Sequence, residues 1–232
     1  MYDEDPPVKT LDVSVLSYEE WLRYFFDRPF LSGQEEYDAF SPPDVDYHVI
    51  SRPNTVVAYL ERLSREHRFI LESFSLEQVG QGLWGMFEGS QHLISCLFHP
   101  MIDRDKRVQC IEAMYCVFEE VAMHAEIDVK EYFYWMWWDM VLHHFWCMAN
   151  YEEKYELLTE DMRMILDAML RTVTRILGLD NQGCQSSALH GLGHLHHPSV
   201  RQIVQDYSDA HRSELSESEL QWVEECREGI VL

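Results

Sequence analysis

The chain has 232 residues and a formal net charge of −23, from 18 lysines and arginines against 41 aspartates and glutamates. This excess of negative charge repels phosphate backbones and anionic lipid headgroups, so it argues against binding to nucleic acid or to a membrane surface. Hydrophobic residues make up 47% of the chain, which is enough for the core of one large domain or of one array of stacked helices.

The cysteines and the N-terminal residues predict the cellular compartment. Six cysteines are scattered singly without a C-x-x-C pair, which is typical of reduced thiols rather than of a disulfide scaffold. The first seven residues contain no basic segment followed by an apolar one, so no secretory signal is predicted. The longest apolar run, 132–149, contains Asp139 and two histidines and favours a buried helix over a membrane span. We therefore expect a cytoplasmic protein.

Residues 1–52 are predicted to form an acidic lead, one helix and a connector. Ser17 followed by Glu20 has the pattern of a capping box ahead of apolar residues at helical spacing, so we expect a helix at about 17–27. The prolines at 42 and 43 interrupt regular structure, and residues 46–51 are too few to establish a strand. We expect this segment to pack on the domain that follows.

Residues 53–232 are predicted to be one helical domain. Apolar side chains recur every three or four positions from Pro53 onward, and glycine, proline and N-capping residues interrupt them at short intervals. Short breaks favour antiparallel packing of neighbouring helices. The N-caps expected are Ser75, Asp128, Thr159 and Ser216. The predicted helices after residue 75 are 76–87, 91–98, 106–124, 129–148, 158–177, 184–195, 200–211 and 217–228.

Two consecutive segments resemble the paired helices of a HEAT-like or armadillo-like repeat. The first is Met164–Leu170 with Ile176–Gly178, and the second is Ala188–Leu195, where small residues alternate with leucines. Helix pairs recur at about 35–45 residues, near the period of such repeats. The resemblance implies an all-α, right-handed superhelix of stacked antiparallel helix pairs, with an irregular helical bundle as the alternative. It also implies an interaction scaffold, because the iron enzymes among HEAT-like proteins use His-Glu dipeptides and this chain has none.

The charge and a segment rich in aromatic residues predict a protein-interaction surface. Trp and Tyr often anchor interfaces, and acidic surfaces accelerate association with basic partners. The leading hypothesis is a module without catalytic activity or cofactor that binds a basic protein. In its sharpest form it is an immunity protein that neutralises a cationic toxin. The candidate partner-binding residues are Trp135, Trp138, Asp139, Trp146, Glu152 and Glu153.

A group of histidines supports a second hypothesis, a metal-dependent enzyme or metal sensor. His190 and His194 are four residues apart and share a helix face, with His196 just beyond, and zinc can take three such ligands. The alternative is that His194, His196 and His197 are solvated residues of the turn at the helix end. Two acid–histidine pairs at the same spacing could form a further carboxylate–histidine site. These pairs are Glu120 with His124 and Asp139 with His143, and ordinary hydrogen bonds within each helix are the alternative for them.

Other chemistry is not predicted from motifs. The chain has no Walker loop, no G-x-G-x-x-G after a strand and no G-x-S-x-G around Ser186 or Ser187. A third hypothesis is a homodimer that uses the helix rich in tryptophan as its own interface.

Overall fold

The computed structural model describes residues 9–28, 47–50, 52–87, 93–124 and 136–231. Within these ranges the all-α class is confirmed, since helices carry almost all of the regular structure. The α-helices are α1 Tyr18–Phe26, α2 Pro53–Arg65, α3 Arg68–Ser73, α4 Leu76–Phe87, α5 Arg104–Glu120, α6 Trp137–Met148, α7 Glu160–Leu177, α8 Gln182–Leu195, α9 Val200–His211 and α10 Glu217–Glu228. Short 3-10 helices lie at Val13–Val15, Leu93–Phe98, Ala122–His124 and Tyr155–Leu157.

Helix starts follow the capping residues of the sequence. Ser17 accepts a hydrogen bond from the backbone N–H of Glu20, whose carboxylate accepts one from the backbone N–H of Ser17 at 2.8 Å. Ser216 and Glu219 form the same reciprocal pair at the start of α10. The Thr159 side chain caps α7. These caps are confirmed, because each satisfies backbone N–H groups that the first helical turn leaves without partners.

Three predicted helices, 76–87, 200–211 and 217–228, have the observed bounds, several others are shifted by one to four residues at an end, and two differ more. The segment predicted as a helix at 91–98 is a 3-10 helix over Leu93–Phe98, and residues 91 and 92 lie outside the described residues. The helix predicted at 129–148 begins at Trp137 in the described part of the chain. The predicted N-cap Asp128 also lies outside the described residues.

A short parallel strand pair joins the N-terminal lead to the connector. Strand β1, Lys9–Asp12, pairs with β2, Tyr47–Ile50, with Lys9 opposite Tyr47 and Asp12 opposite Ile50. Residues 46–51, too few to establish a strand from the sequence, thus include one in the structure. A strand this short is stabilised by its partner, which is distant in sequence and so invisible to local pattern.

Helix α8 packs against several other helices in the core. Helix α5 packs between α2 and α7, while α8 contacts α6, α7, α9 and α10, and α1 packs on α4. The largest fully buried side chains include Trp21, Phe118, Trp138 and Phe145. The right-handed superhelix and the division at residue 52 stay predictions. No helix within the described ranges has both the length and the apolar character needed to cross a bilayer.

Candidate metal centre

Helices α6 and α8 approach each other closely at a glycine. A Cβ atom on Gly191 would lie 2.7 Å from the Cβ of Trp138, well inside the separation of about 3.5–4.0 Å at which carbon atoms pack. Asp139 follows Trp138 along α6, and His190 precedes Gly191 along α8. The glycine therefore allows the polar neighbours of this contact to meet.

Three potential ligand side chains converge between these two helices. His190 and His194 lie one turn apart on α8, and their Nε2 atoms are 3.0 Å from each other. Asp139 on α6 faces both: its Oδ2 lies 3.6 Å from His190 Nε2, and its Oδ1 lies 3.2 Å from His194 Nε2. Each of the three residues offers a ligand atom within 4.8 Å of those of the other two. Among the described residues, these three form a group that could hold a metal ion.

The separations fit the ligand shell of a small divalent ion. Zinc holds imidazole nitrogen and carboxylate oxygen at about 2.0–2.2 Å, so ligands at the corners of a tetrahedron are about 3.3–3.6 Å apart. The closest separations between the three side chains are 3.0, 3.2 and 3.6 Å, and the last two involve different oxygens of Asp139. Two of them lie just below that range and one lies at its upper end. Small rotations of the side chains would bring all three atoms onto one ion.

The burial of Asp139, His190 and His194 favours binding of a cation. The His190 side chain is 2% exposed and that of Asp139 is 19% exposed. Burial raises the pKa of Asp139 to about 7. Burial, followed by the nearby His196, lowers the pKa of His194, which favours the neutral imidazole that metals bind. Asp139 Oδ1 is buried and accepts no hydrogen bond, although His194 Nε2 is close to it. A buried carboxylate oxygen in that state is costly unless a cation pairs with it.

The last turn of α8 is held in place by α6. The indole N–H of Trp146 donates a hydrogen bond of 3.2 Å to the backbone carbonyl of His194. His196 ends the helix in the left-handed conformation, with φ of 49°, and its ring packs edge-on to Trp146 at 5.7 Å. His196, one of the three predicted metal candidates, therefore turns to the tryptophan and does not join the cluster. Asp139 takes the third position.

His197, next in the chain, belongs to a separate network. Its Nε2 lies 3.1 Å from Asp167 Oδ1, which also accepts a hydrogen bond of 2.9 Å from the Tyr155 hydroxyl. The Nδ1 of His197 accepts a hydrogen bond from the backbone N–H of Ser199. These contacts fix the turn between α8 and α9. The interpretation of His197 as a solvated turn residue was wrong, because its side chain is only 9% exposed.

The predicted partner-binding residues divide into buried and exposed ones. Trp138 is fully buried and Trp146 is 6% exposed, so the role of exposed aromatic anchor does not fit either of them. Glu152 and Glu153 lie beyond α6 and line a cavity of about 670 Å³ together with His196, His197 and Glu228. Trp135 lies outside the described residues.

The one predicted acid–histidine pair with both side chains described, Asp139 with His143, does not form as predicted. Asp139 faces α8, whereas His143 is exposed and its Nε2 lies 3.7 Å from Cys147 Sγ. Spacing along one helix predicted a partner on α6, but the partners of Asp139 lie on α8. For the other pair, Glu120 is exposed, and the side chain of His124 lies outside the described residues.

Sequence reasoning found two of the three cluster residues as metal candidates and misassigned the third. The spacing of four residues placed His190 and His194 on one face, as the structure has them. The signal for Asp139 was its position as an acid between Trp138 and Met140 in an otherwise apolar helix, since buried acids need partners.

Comparisons of the chain with protein-family models, with curated proteins and with solved structures gave no match. The resemblance to HEAT-like proteins therefore stays a prediction.

Proposed function

We propose that this protein binds one divalent transition-metal ion through Asp139, His190 and His194. The observation that carries the proposal is the convergence of two imidazole nitrogens and one carboxylate group, whose closest atoms are 3.0 to 3.6 Å apart. Two imidazoles with one carboxylate is a donor set used by zinc in hydrolytic enzymes and by Fe(II) in oxygenases. The metal-dependent enzyme or sensor is thus better supported than the interaction module.

A hydrogen-bonded cluster without metal is the competing explanation of the same contacts. Two Nε2 atoms at 3.0 Å share one proton, and a hydrogen bond between either of them and Asp139 would need a second proton. The buried Asp139 Oδ1, which accepts no hydrogen bond, argues against a network built for protons alone. An ion would satisfy all three donor atoms together.

Calorimetric titration of chelator-treated protein with Zn²⁺, Co²⁺ and Fe²⁺ tests the proposal. We expect binding of one ion per chain, weakened in Asp139→Asn and His194→Gln by more than the roughly 10–100-fold that loss of an outer-shell partner costs. His211→Gln is a matched control, because the His211 side chain is 34% exposed against 33% for His194 and pairs with Glu214 in the turn after α9. Absence of stoichiometric binding, or equal affinity in all variants, would refute the site.

The interaction module remains a second proposal, supported by charge. The net charge of −23 favours a basic protein partner, and an immunity protein against a cationic toxin is its most specific form. Glu152 and Glu153 border the cavity beyond α6 and are the acidic candidates with access to it. If they contact the partner, Glu152→Gln with Glu153→Gln should slow association with a cationic protein. The same double change at exposed Glu160 and Glu217 is the control, and equal rates in the two variants would exclude these residues.

A further inference from the structure

We infer that the ion held by Asp139, His190 and His194 keeps a coordination position open to solvent, where it binds water or a small anion. The inference rests on the proposed metal binding and deepens it. A closed site would make the ion a structural clamp between α6 and α8. An open site would make it a Lewis acid with an exchangeable ligand.

The first support is the number and placement of the ligands. Among the described residues the cluster has three members, two on successive turns of α8 and one on the facing helix α6. Structural zinc sites are almost always completed by four protein ligands, whereas catalytic sites keep three. One ligand atom from each of these three side chains would occupy one face of a tetrahedron, and the cluster holds no fourth ligand among the described residues.

The second support is a gradient of exposure across the cluster. The side chain of His190 is 2% exposed, that of Asp139 is 19% exposed and that of His194 is 33% exposed. The ion would thus have a buried side at His190 and a solvent side at His194. We therefore expect a water molecule or small anion to approach the ion from the side of His194.

The chemistry of the open position follows from the charge of the ion. A bound divalent zinc ion lowers the pKa of a coordinated water to about 7, so the water loses a proton to solvent and leaves hydroxide on the ion. Small anions such as azide compete with that water for the same position. The ligand class is therefore water, hydroxide and small anions. A substrate would have to present an oxygen that the ion can polarise.

Cobalt-substituted protein provides the test, because the visible absorption of Co²⁺ reports both its binding and its coordination. In the first step Co²⁺ is added to chelator-treated protein. We expect a one-to-one complex with visible absorption bands in the parent protein, and no such bands in the Asp139→Asn variant. In the second step azide is titrated into that complex. We expect a saturable change in the bands, and a single azide bound per ion.

The two steps separate two failures. If Co²⁺ does not bind, the proposed function and this inference both fail. If Co²⁺ binds through Asp139 but azide leaves the spectrum unchanged, the metal site stands and the open position is refuted. His143→Gln serves as a further variant, because His143 lies one turn beyond Asp139 on α6. An azide response that appears only in His143→Gln would show that this histidine closes the site, and it would likewise overturn the inference.

Discussion

The protonation of Asp139 affects the stability of the metal-free protein. Burial raises its pKa from an ordinary value of 3.8 to about 7 in the folded state. Because the folded state then binds the proton more tightly than the unfolded state, the contribution of Asp139 to stability falls as the pH rises from about 4 to about 7. Ionisation of a carboxyl that is poorly solvated is the physical cause.

Asp139→Asn should remove this dependence, since asparagine resembles the protonated acid at every pH. Without metal, we expect the variant and the parent to unfold at similar urea concentrations near pH 4. The variant should become more stable than the parent by a few kcal/mol above pH 7. Urea titrations across that pH range measure the difference. A difference independent of pH would contradict the argument from burial.

At the scale of elements, Gly191 sets the distance between α6 and α8. Gly191→Ala would place a Cβ 2.7 Å from the Cβ of Trp138, and only a shift of one helix could relieve the clash. We expect a loss of about 1–3 kcal/mol in stability from overpacking, together with at least a tenfold loss of metal affinity as Asp139 moves away from the histidines. Urea unfolding and calorimetric titration measure the two effects.

Gly193→Ala is the matched control on the same helix. Its Cβ would contact Val231 at 2.6 Å, on a face of α8 that packs against the C-terminal segment rather than against α6. We expect some loss of stability with metal affinity unchanged. Equal losses of affinity in the two variants would show that general destabilisation, and not the spacing of α6 and α8, governs the site.

Helix α10 offers a test of the capping box. Ser216→Ala should cost about 1 kcal/mol, because the side chain accepts a hydrogen bond from Glu219 N–H at the helix start. Ser213→Ala, an exposed position in the preceding turn, is the control and should cost little. The Ser216 hydrogen bonds lower the pKa of Glu219, so the contribution of Glu219 is present above its ordinary pKa of 4.5 and is lost on further acidification. Thermal unfolding at neutral and acidic pH measures both effects.

Elements that depend on local signals could be predicted, and those that depend on distant partners could not. Helices α4, α9 and α10 have the predicted bounds because a capping residue or a break lies next to each of them. Strand β2 was missed because its stability comes from β1, far away in the chain. Asp139 was paired with the wrong histidine for the same reason, since helical spacing relates residues within α6 and not across to α8.

At the scale of the whole molecule, a bound ion would couple two helices that are distant in sequence. An ion that binds the folded state alone stabilises it by about 2.7 kcal/mol at 100 times its dissociation constant. For a chain of this length that corresponds to a rise of about 5–10 °C in Tm. We expect this rise with zinc in the parent protein and in His211→Gln, and none in His194→Gln. Differential scanning calorimetry measures it, and a rise of equal size in His194→Gln would place the ion elsewhere.

The indole of Trp146, whose N–H donates to the carbonyl of His194, gives the site an optical property. Trp138 precedes Asp139 in the chain and packs against Gly191, so Trp138 and Trp146 both adjoin the ligand side chains. Paramagnetic ions such as Cu²⁺ and Ni²⁺ quench indole fluorescence at short range. Binding of such an ion should therefore quench the intrinsic tryptophan fluorescence. The Trp146→Phe variant retains all three ligands and should show a smaller decrease in fluorescence.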